Sequence, residues 1–344
     1  MYGYGLSRHG ANGLMWQNDP LSVCQTTDRC PECQGERKRR KHCQTYRGAG
    51  FPPVRIAGLW APRPAFLVCG GPSMRDLPIE RLRDRGVLSL AINGAGAYAP
   101  VTAHTFGDPQ TKFHSAMFLD PKVLSFVPFG KLWYAIQVKH GGRFYPTNIR
   151  CCDCPSTYGF SRTSVFDADE FLTTPHAHWG NGHAEAAQRN TFRRLCTPLL
   201  GLRLLHYLGV SRVYLLGVDH EVAPRESETP GYAWGDNASC GNRIWWKIDS
   251  YYERIKPVME AAGCPIYNCN PASKCEVFDF VTFADALDDC KGPVEDEPLD
   301  CHDWYNKKLA EQQHAEFGKV LTEADVARLR LEERSHGLIE AVYG

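Results

Sequence analysis

One stretch of sequence, AFLVCGGPS at residues 65–73, decides the fold of this chain. Five consecutive apolar residues are typical of a strand that is buried on both faces, as the strands of parallel sheets are. The Gly-Gly-Pro-Ser that follows ends the strand, because glycine and proline interrupt regular structure more strongly than other residues do. The stretch therefore predicts a buried parallel strand that leads directly into a tight turn.

The alternation of strands and helices continues through the domain predicted at residues 64–292. Strands alternating with helices favour an α/β fold with an open, mostly parallel sheet covered on both faces, which is Rossmann-like. Residues 137–192 show little periodicity and are interpreted as an insertion or lid. Further strands are predicted at residues 87–92, 103–106, 212–219 and 265–268, and helices at 76–85, 195–208, 244–262 and 283–288.

The two ends of the chain differ from this domain. Residues 1–50 are rich in Gly, Asn, Gln, Arg and Cys without a periodic apolar pattern, which predicts a cysteine-rich, zinc-binding appendage. Residues 293–344 are highly charged, and Thr322 followed by Asp325 is typical of a capping box that opens a helix. A charged helical tail is predicted there.

Charge and composition disfavour several classes of protein. Lys+Arg and Asp+Glu both number 39, so the average surface gives no reason to expect a nucleic-acid partner, although residues 36–42 form a local basic run. No apolar stretch is long enough to cross a membrane, and the first residues lack the layout of a secretion signal. We expect a cytoplasmic protein without a membrane span, in the host cytoplasm if a phage encodes it.

Four cysteines near the N-terminus have the spacing of a metal site. Cys30 and Cys33 form a Cys-x-x-Cys knuckle, which Cys24 and Cys43 flank at distances that allow a four-thiolate tetrahedron. A structural Zn²⁺ ion is predicted, because four thiolates leave no position for water. A disulfide or unpaired thiols are the alternatives.

The loop between Cys33 and Cys43 carries basic side chains. Held on a rigid knuckle, they are suited to contact phosphates, and a solvated charge run is the alternative. The arginines predicted to contact nucleic acid are Arg37, Arg39 and Arg40. Two weaker metal candidates are the compact trio Cys151, Cys152 and Cys154 and the histidines His176, His178 and His183, for which hydrogen-bonding surface roles are the alternative.

Small or polar residues follow each predicted strand. In an open parallel sheet, ligands bind beyond the carboxyl ends of the strands. Glycines there let the backbone approach a phosphate, and a serine caps the next helix or donates to a ligand oxygen; a simple tight turn is the alternative. The candidates are Gly70, Gly71, Pro72, Ser73, Asn93, Asp108, Asp219 and His220.

Asp219 and His220 end the clearest strand of the chain. A carboxylate and an imidazole at that place can supply a metal ligand, a general base or a clamp on a sugar hydroxyl, whereas in the alternative Asp219 only caps the next turn. The glycine pattern is neither the six-residue dinucleotide fingerprint nor a Walker loop. NAD-dependent enzymes and P-loop ATPases are therefore disfavoured.

Seven motifs occur in order over residues 64–290, about two thirds of the chain. They are LVCGGPS at 67–73, ING at 92–94, GDP at 107–109, Arg194 with Thr197, LG at 208–209 through YLLGVD at 214–219, GYAW at 231–234, and YNCNPAS at 267–273. In this order they resemble the family 42 bacterial sialyltransferases and the related glycosyltransferase-like domains of unknown function in bacteria and phages.

The resemblance implies a Rossmann-like glycosyltransferase that holds a nucleotide-sugar donor without an obligatory metal. The sialyltransferases place a catalytic histidine shortly before the penultimate helix, where this chain has Asn242. The base that takes the acceptor proton is therefore expected among Asp108, Asp219 and His220, and a catalytic divalent metal stays an open question. By motif, the donor-binding residues are Gly70, Gly71, Pro72, Ser73, Asn93, Arg194, Thr197, Asn270 and Ser273.

The pattern after Asn242 is similar to the phage members, which implies a 5-hydroxymethylpyrimidine in DNA, such as 5-hydroxymethylcytosine, as the acceptor. A flipped base would meet Trp245 and Trp246, for which a core position is the alternative. A glycan acceptor is the alternative within this class. Two hypotheses from different classes are a nucleic-acid-binding protein without catalysis and a pterin pyrophosphokinase-like enzyme, which needs Mg²⁺ on an acidic cluster such as Asp279, Asp285, Asp288 and Asp289.

Overall fold

The computed structural model describes residues 19–26, 53–108, 118, 120, 122–140, 143–154, 156–180, 196–220 and 245–291. The strands in this part of the chain are β1 (Val23–Gln25), β2 (Ala65–Val68), β3 (Ser89–Ile92), β4 (Ala103–Thr105), β5 (Leu124–Pro128), β6 (Ala135–His140), β7 (Arg143–Arg150), β8 (Thr157–Phe160), β9 (Arg162–Thr163), β10 (Ala177–His178), β11 (Val213–Leu216), β12 (Ile266–Asn268) and β13 (Asp279–Phe280). The α-helices are α1 (Thr197–Tyr207), α2 (Trp245–Ala261) and α3 (Phe283–Lys291). Nine of these strands form one sheet in the spatial order β1-β8-β5-β4-β3-β2-β11-β12-β13.

The sheet confirms the predicted α/β class. Every neighbouring pair in it is parallel except β1 with β8 at one edge. The apolar run at residues 65–68 forms β2, whose four residues are all buried, and β2 lies at the centre between β3 and β11. Such an all-buried run is what a central parallel strand requires, because helices cover both of its faces.

Alternate residues of β2 point to opposite faces of the sheet, and each face has its own helical cover. Leu67 packs in a cluster that includes Leu200 of α1 and Ile255 of α2. Phe66 packs on the other face against Phe283 of α3, with ring centroids 5.6 Å apart. Because helices pack on both faces of the sheet, the carboxyl ends of its strands are held in place. Ligands of such sheets bind at these ends.

One predicted element has a different form. The helix expected at residues 76–85 is replaced by two short 3₁₀ segments, Pro72–Arg75 and Ile79–Arg83. Pro78 lies between them, and proline both lacks a backbone N–H and disfavours helical geometry in the residue before it. The connection from β2 to β3 is therefore compact and irregular.

Segments outside the predicted core strands also join the fold. Val23–Gln25, within the N-terminal 50 residues, forms the edge strand β1, and β8, within residues 137–192, lies between β1 and β5. Strands β6 and β7 pair as an antiparallel hairpin. Asp19 reaches α1, where its carboxylate is bound by Arg203 at 2.5 Å and by His206 at 2.9 Å. None of the described helices is both long and apolar enough to span a membrane.

Candidate functional site

The order in which the chain adds strands to the sheet reverses between the parallel neighbours β2 and β11. From β2 the chain continues outward through β3, β4 and β5, whereas β11, β12 and β13 extend from the other side of β2. At such a switch point the loops after the two central strands diverge and leave a crevice at their carboxyl ends. The two loops here are Gly70–Ser73 after β2 and Gly217–His220 after β11.

The carboxylate of Asp219 ties these two loops together. Its Oδ2 accepts a hydrogen bond from the backbone N–H of Ser73 at 2.8 Å, and its Oδ1 accepts one from the Ser73 hydroxyl at 2.7 Å. The side-chain amide of Asn270 donates a third bond to Oδ1, also at 2.8 Å. The same two loops are also joined by a backbone hydrogen bond, which the Gly71 N–H donates to the carbonyl of Gly217 at 2.9 Å. The Gly-Gly-Pro-Ser turn therefore ends β2 and is also fixed by hydrogen bonds to Asp219 and Gly217.

The loop after β12 is hydrogen-bonded to the loop after β11. The Ser273 hydroxyl donates to the carbonyl of Val218 at 2.7 Å, and the Asn268 amide donates to that carbonyl at 3.1 Å. The backbone N–H of Lys274 donates to the carbonyl of Asp219 at 2.8 Å. Three loops, after β2, β11 and β12, consequently form one hydrogen-bonded unit.

Asn93 connects the loops after β3 and β4 to the start of α1. Its amide oxygen accepts from the N–H of Gly107 at 3.1 Å, and its amide nitrogen donates to Thr197 Oγ1 at 3.2 Å. Asn93 has a φ of 50°, in the left-handed region that asparagine tolerates better than most residues. A Cβ at Gly107 would lie 2.5 Å from Nε1 of Trp179, so only glycine fits this contact.

Two cations and an indole surround the Gly107 backbone. The buried Lys131 ammonium donates to the carbonyls of Gly107 and Asp108, both at 2.7 Å. The Arg162 guanidinium donates to the Gly107 carbonyl at 3.1 Å and lies 3.8 Å from the Trp179 ring centroid. The indole N–H of Trp179 is buried and has no acceptor among the described residues. A buried donor of this kind is a group that a ligand oxygen can satisfy.

His220 lies beside a second group of side chains. Its Nδ1 is 2.7 Å from Oδ1 of Asp249 on α2, and its ring stacks on Tyr252 at a centroid distance of 5.6 Å. Burial lowers the pKa of His220, and the neighbouring Asp249 opposes this effect without outweighing it. Burial raises the pKa of the nearby Cys275 thiol to about 12. Nitrogen, oxygen and sulfur atoms of His220, Asp249 and Cys275 lie within 4.8 Å of one another.

The structure brings most of the predicted crevice residues to one edge of the sheet. The loop Gly70, Gly71, Pro72 and Ser73 contacts Asp219 and Asn270, and Asn93 contacts Thr197. Asp108 follows Gly107 on the same edge. Arg194 lies outside the described residues, as do Arg37, Arg39, Arg40, Cys30, Cys33, Cys43 and His183.

The remaining metal candidates differ in their environments. Cys24 lies in β1, where burial raises its pKa to about 12; the other members of its predicted zinc quartet are not described, so that site stays a prediction. Cys151, Cys152 and Cys154 are buried in an apolar cluster with Cys24. His176 contacts the Ser161 hydroxyl at 2.5 Å, and His178 accepts from the Asp167 N–H at 3.0 Å. Among the described residues, these cysteines and histidines do not form a metal-binding group.

Several residues of the site carry no motif in the sequence. Lys131, Arg162 and Trp179 come from the region around β5 to β10, and Asp249 and Cys275 are distant from His220 along the chain. A sequence clue exists for Asp249 alone, because it interrupts the apolar face of α2 next to the buried Ile248 and Tyr252. Trp245 and Trp246 open α2, and their side chains are not described.

No protein-family model and no curated protein matches this chain. One solved structure is similar to it in part: a sialyltransferase from Campylobacter jejuni in complex with a substrate analogue, cytidine-5′-monophosphate. The two share 11% sequence identity over 74% of this chain and 98% of that chain, with a TM-score of 0.33.

Proposed function

We propose that this protein transfers a glycosyl group from a nucleotide-sugar, bound at the carboxyl edge of the sheet, to a hydroxyl acceptor. The observation that carries the proposal is the frame around Asp219, which joins the loops after β2, β11 and β12 at the switch point. Ligands of open α/β sheets bind at this place. The residues of the frame are also those whose motifs resemble sialyltransferase-type donor sites.

Within this proposal, Asp219 positions the donor loop. Both of its oxygens already accept hydrogen bonds, three in total from Ser73 and Asn270, which leaves it poorly suited to take a proton from an acceptor. A Cβ at Gly71 would lie 2.4 Å from Oδ2 of Asp219 and 2.5 Å from the Gly217 carbonyl oxygen, so glycine is required for the loop after β2 to pack this closely on the loop after β11. The indole N–H of Trp179, buried beside Gly107, supplies a further donor for a ligand oxygen.

Asp108 is the proposed general base. It follows β4 on the edge where the donor binds, and the Lys131 ammonium holds its carbonyl and that of Gly107 at 2.7 Å. A fixed backbone gives the carboxylate a defined place, as proton transfer in a transition state requires. His220, by contrast, is buried and is engaged by two residues of α2, with Asp249 at 2.7 Å and the Tyr252 ring stacked on its imidazole.

For the acceptor, we propose a 5-hydroxymethylpyrimidine in DNA. The support comes from the sequence: the basic run with Arg37, Arg39 and Arg40 suits a phosphate backbone, and Trp245 with Trp246 at the start of α2 suits a flipped base. A fold does not fix a substrate, so this part of the proposal needs its own test.

The pyrophosphokinase-like alternative finds no support in the described residues. Its acidic side chains are engaged separately: Asp279 with Lys256 at 3.5 Å, Asp285 with Thr282 at 2.6 Å, and Asp289 with Arg212 at 3.2 Å. Within the described part of the chain, these carboxylates do not converge on a common point that would hold Mg²⁺.

The test is incubation of the purified protein with UDP-, CMP- and GDP-sugars and with DNA that contains 5-hydroxymethylcytosine or 5-hydroxymethyluracil, followed by nucleoside mass spectrometry. Unmodified DNA of the same sequence is the control. A sugar-sized mass gain on the modified base alone would support the donor and the acceptor together. Donor hydrolysis without a gain on DNA would keep glycosyl transfer and redirect the search to glycan acceptors, whereas donor binding without turnover would contradict catalysis.

A further inference from the structure

We propose that His220, Asp249 and Cys275 bind a zinc ion. The three residues come from separate segments: the loop after β11, the second turn of α2, and the loop between β12 and β13. Their nitrogen, oxygen and sulfur atoms nevertheless lie within 4.8 Å of one another. A single ion at their centre would join these segments, and the site is independent of the proposed glycosyl transfer.

The types of ligand atom favour zinc over magnesium and calcium. Imidazole nitrogen, thiolate sulfur and carboxylate oxygen are the three ligand types of zinc in proteins, whereas magnesium and calcium require oxygen ligands throughout. Three protein ligands leave one position of a zinc tetrahedron open, as in catalytic sites, while structural sites are closed by a fourth. The expected occupant is therefore Zn²⁺ with a water molecule or a ligand oxygen in the fourth position.

The surroundings hold the ligands in place. The His220 side chain is 4% exposed, its ring stacks on Tyr252, and its φ of 52° fixes the backbone in the left-handed region. Cys275 is 3% exposed, and its N–H donates to the Ser273 hydroxyl at 3.0 Å. The Asp249 side chain is 24% exposed, so an ion and its fourth ligand have access from that side.

The contact between Asp249 and His220 also fits metal ligands. Oδ1 of Asp249 lies 2.7 Å from Nδ1 of His220, and the Cys275 thiol contacts the same carboxylate. Zinc bonds of about 2.0–2.1 Å would place two ligand atoms about 3.3 Å apart across a tetrahedral ion. Binding therefore requires these atoms to separate by about 0.6 Å, which small side-chain rotations provide.

The test uses the full-length chain carrying Cys30→Ala and Cys33→Ala, which removes the predicted N-terminal zinc site. The metal-free protein is titrated with Zn²⁺ alone, and with Co²⁺ to observe the thiolate-to-cobalt charge-transfer absorption. Cys275→Ala and His220→Asn remove one ligand each, and asparagine tolerates the left-handed backbone of residue 220. Cys269→Ala is the matched control, because Cys269 is an equally buried thiol of the same connection, outside the ligand group.

We expect one equivalent of Zn²⁺ in the background chain and in Cys269→Ala, with the cobalt–thiolate band present in both. In Cys275→Ala the cobalt–thiolate band disappears. In both ligand variants the affinity for Zn²⁺ falls by more than about 100-fold, because loss of a residue that only hydrogen-bonds to a metal ligand already costs up to that factor. Absence of Zn²⁺ binding in the background chain, or equal loss in Cys269→Ala, overturns the proposal. Because neither donor nor acceptor is present, these outcomes say nothing against glycosyl transfer.

Discussion

Two buried carboxylates of this protein, Asp19 and Asp219, are held by donors of opposite character. Asp19 lies under α1 and is bound by the guanidinium of Arg203 and the imidazole of His206. Asp219 lies at the carboxyl edge of the sheet and is bound by the neutral donors of Ser73 and Asn270. The first arrangement cancels charge and anchors the N-terminal segment; the second orders a loop and leaves its negative charge uncompensated by these donors. The protein thus uses ionic contacts in its scaffold and neutral hydrogen bonds in its proposed donor site.

The largest expected effect concerns a third carboxylate, that of Asp108. If it is the general base, Asp108→Asn lowers kcat by about 100- to 10,000-fold, the usual contribution of a positioned base, while the unfolding free energy changes little. Turnover of the best donor from the mass-spectrometric panel gives the measurement. Asp169→Asn, at an exposed position, is the control. Unchanged turnover in Asp108→Asn would remove Asp108 from catalysis.

A second prediction breaks the scaffold contact. Asp19→Asn leaves the fully buried guanidinium of Arg203 without its counter-charge and should lower the unfolding free energy by about 3–5 kcal/mol. Urea unfolding followed by circular dichroism measures the loss. The control is Asp279→Asn, which breaks the solvent-exposed pair with Lys256 and should cost about 1 kcal/mol or less. Equal losses in the two variants would show that burial does not set the strength of the Asp19 contact.

The same contact predicts how stability depends on pH. Burial raises the pKa of Asp19, but the hydrogen bonds from His206 and Arg203 outweigh it and the net pKa is lowered. The contribution of the ionised Asp19 carboxylate to the unfolding free energy is therefore complete above the unfolded-state pKa of about 3.9. It is lost as the pH falls below that value toward the folded-state pKa. Unfolding free energies measured between neutral and acidic pH should fall more steeply in the wild type than in Asp19→Asn. Parallel curves would contradict the assignment.

The two carboxylates also differ in how far the sequence predicts them. Asp219 lies shortly after the apolar strand β11, beyond Gly217 and Val218, so its place at the carboxyl edge could be predicted locally, as could that of Ser73 after β2. Asp19 and Arg203 are 184 residues apart and share no motif, and the partners of His220 lie on an amphipathic helix and in an irregular loop. Such contacts depend on how helices pack onto the sheet, which hydrophobic periodicity does not specify. The edge of the site was therefore predictable, whereas its surrounding cations and the His220 group were not.

Replacement of the donor-site carboxylate should have a smaller effect on stability than loss of Asp19. In Asp219→Asn the amide nitrogen replaces one acceptor oxygen and faces a donor from Ser73 or Asn270, so at least one hydrogen bond to a charged acceptor is lost, about 1.5–3 kcal/mol. Because the Gly-Gly-Pro-Ser loop is then released, we expect the KM for the donor to rise by at least the tenfold that corresponds to about 1.4 kcal/mol. Calorimetric unfolding and donor kinetics check the two parts separately. A stable variant with unchanged KM would dissociate Asp219 from the donor site.

The smallest expected effect distinguishes the contribution of the Ser273–Val218 hydrogen bond from that of the Asp219 carboxylate. Ser273→Ala removes the bond to the Val218 carbonyl at 2.7 Å and the acceptor for the Cys275 N–H, but leaves all three bonds to Asp219 in place. Loss of a neutral hydrogen bond costs about 1 kcal/mol, so stability should fall by about this amount. Ser273→Thr, which keeps the hydroxyl, is the control. If the donor KM changes less in Ser273→Ala than in Asp219→Asn, the loop after β2 is ordered by Asp219 itself; equal changes would mean that the three loops bind the donor only as one unit.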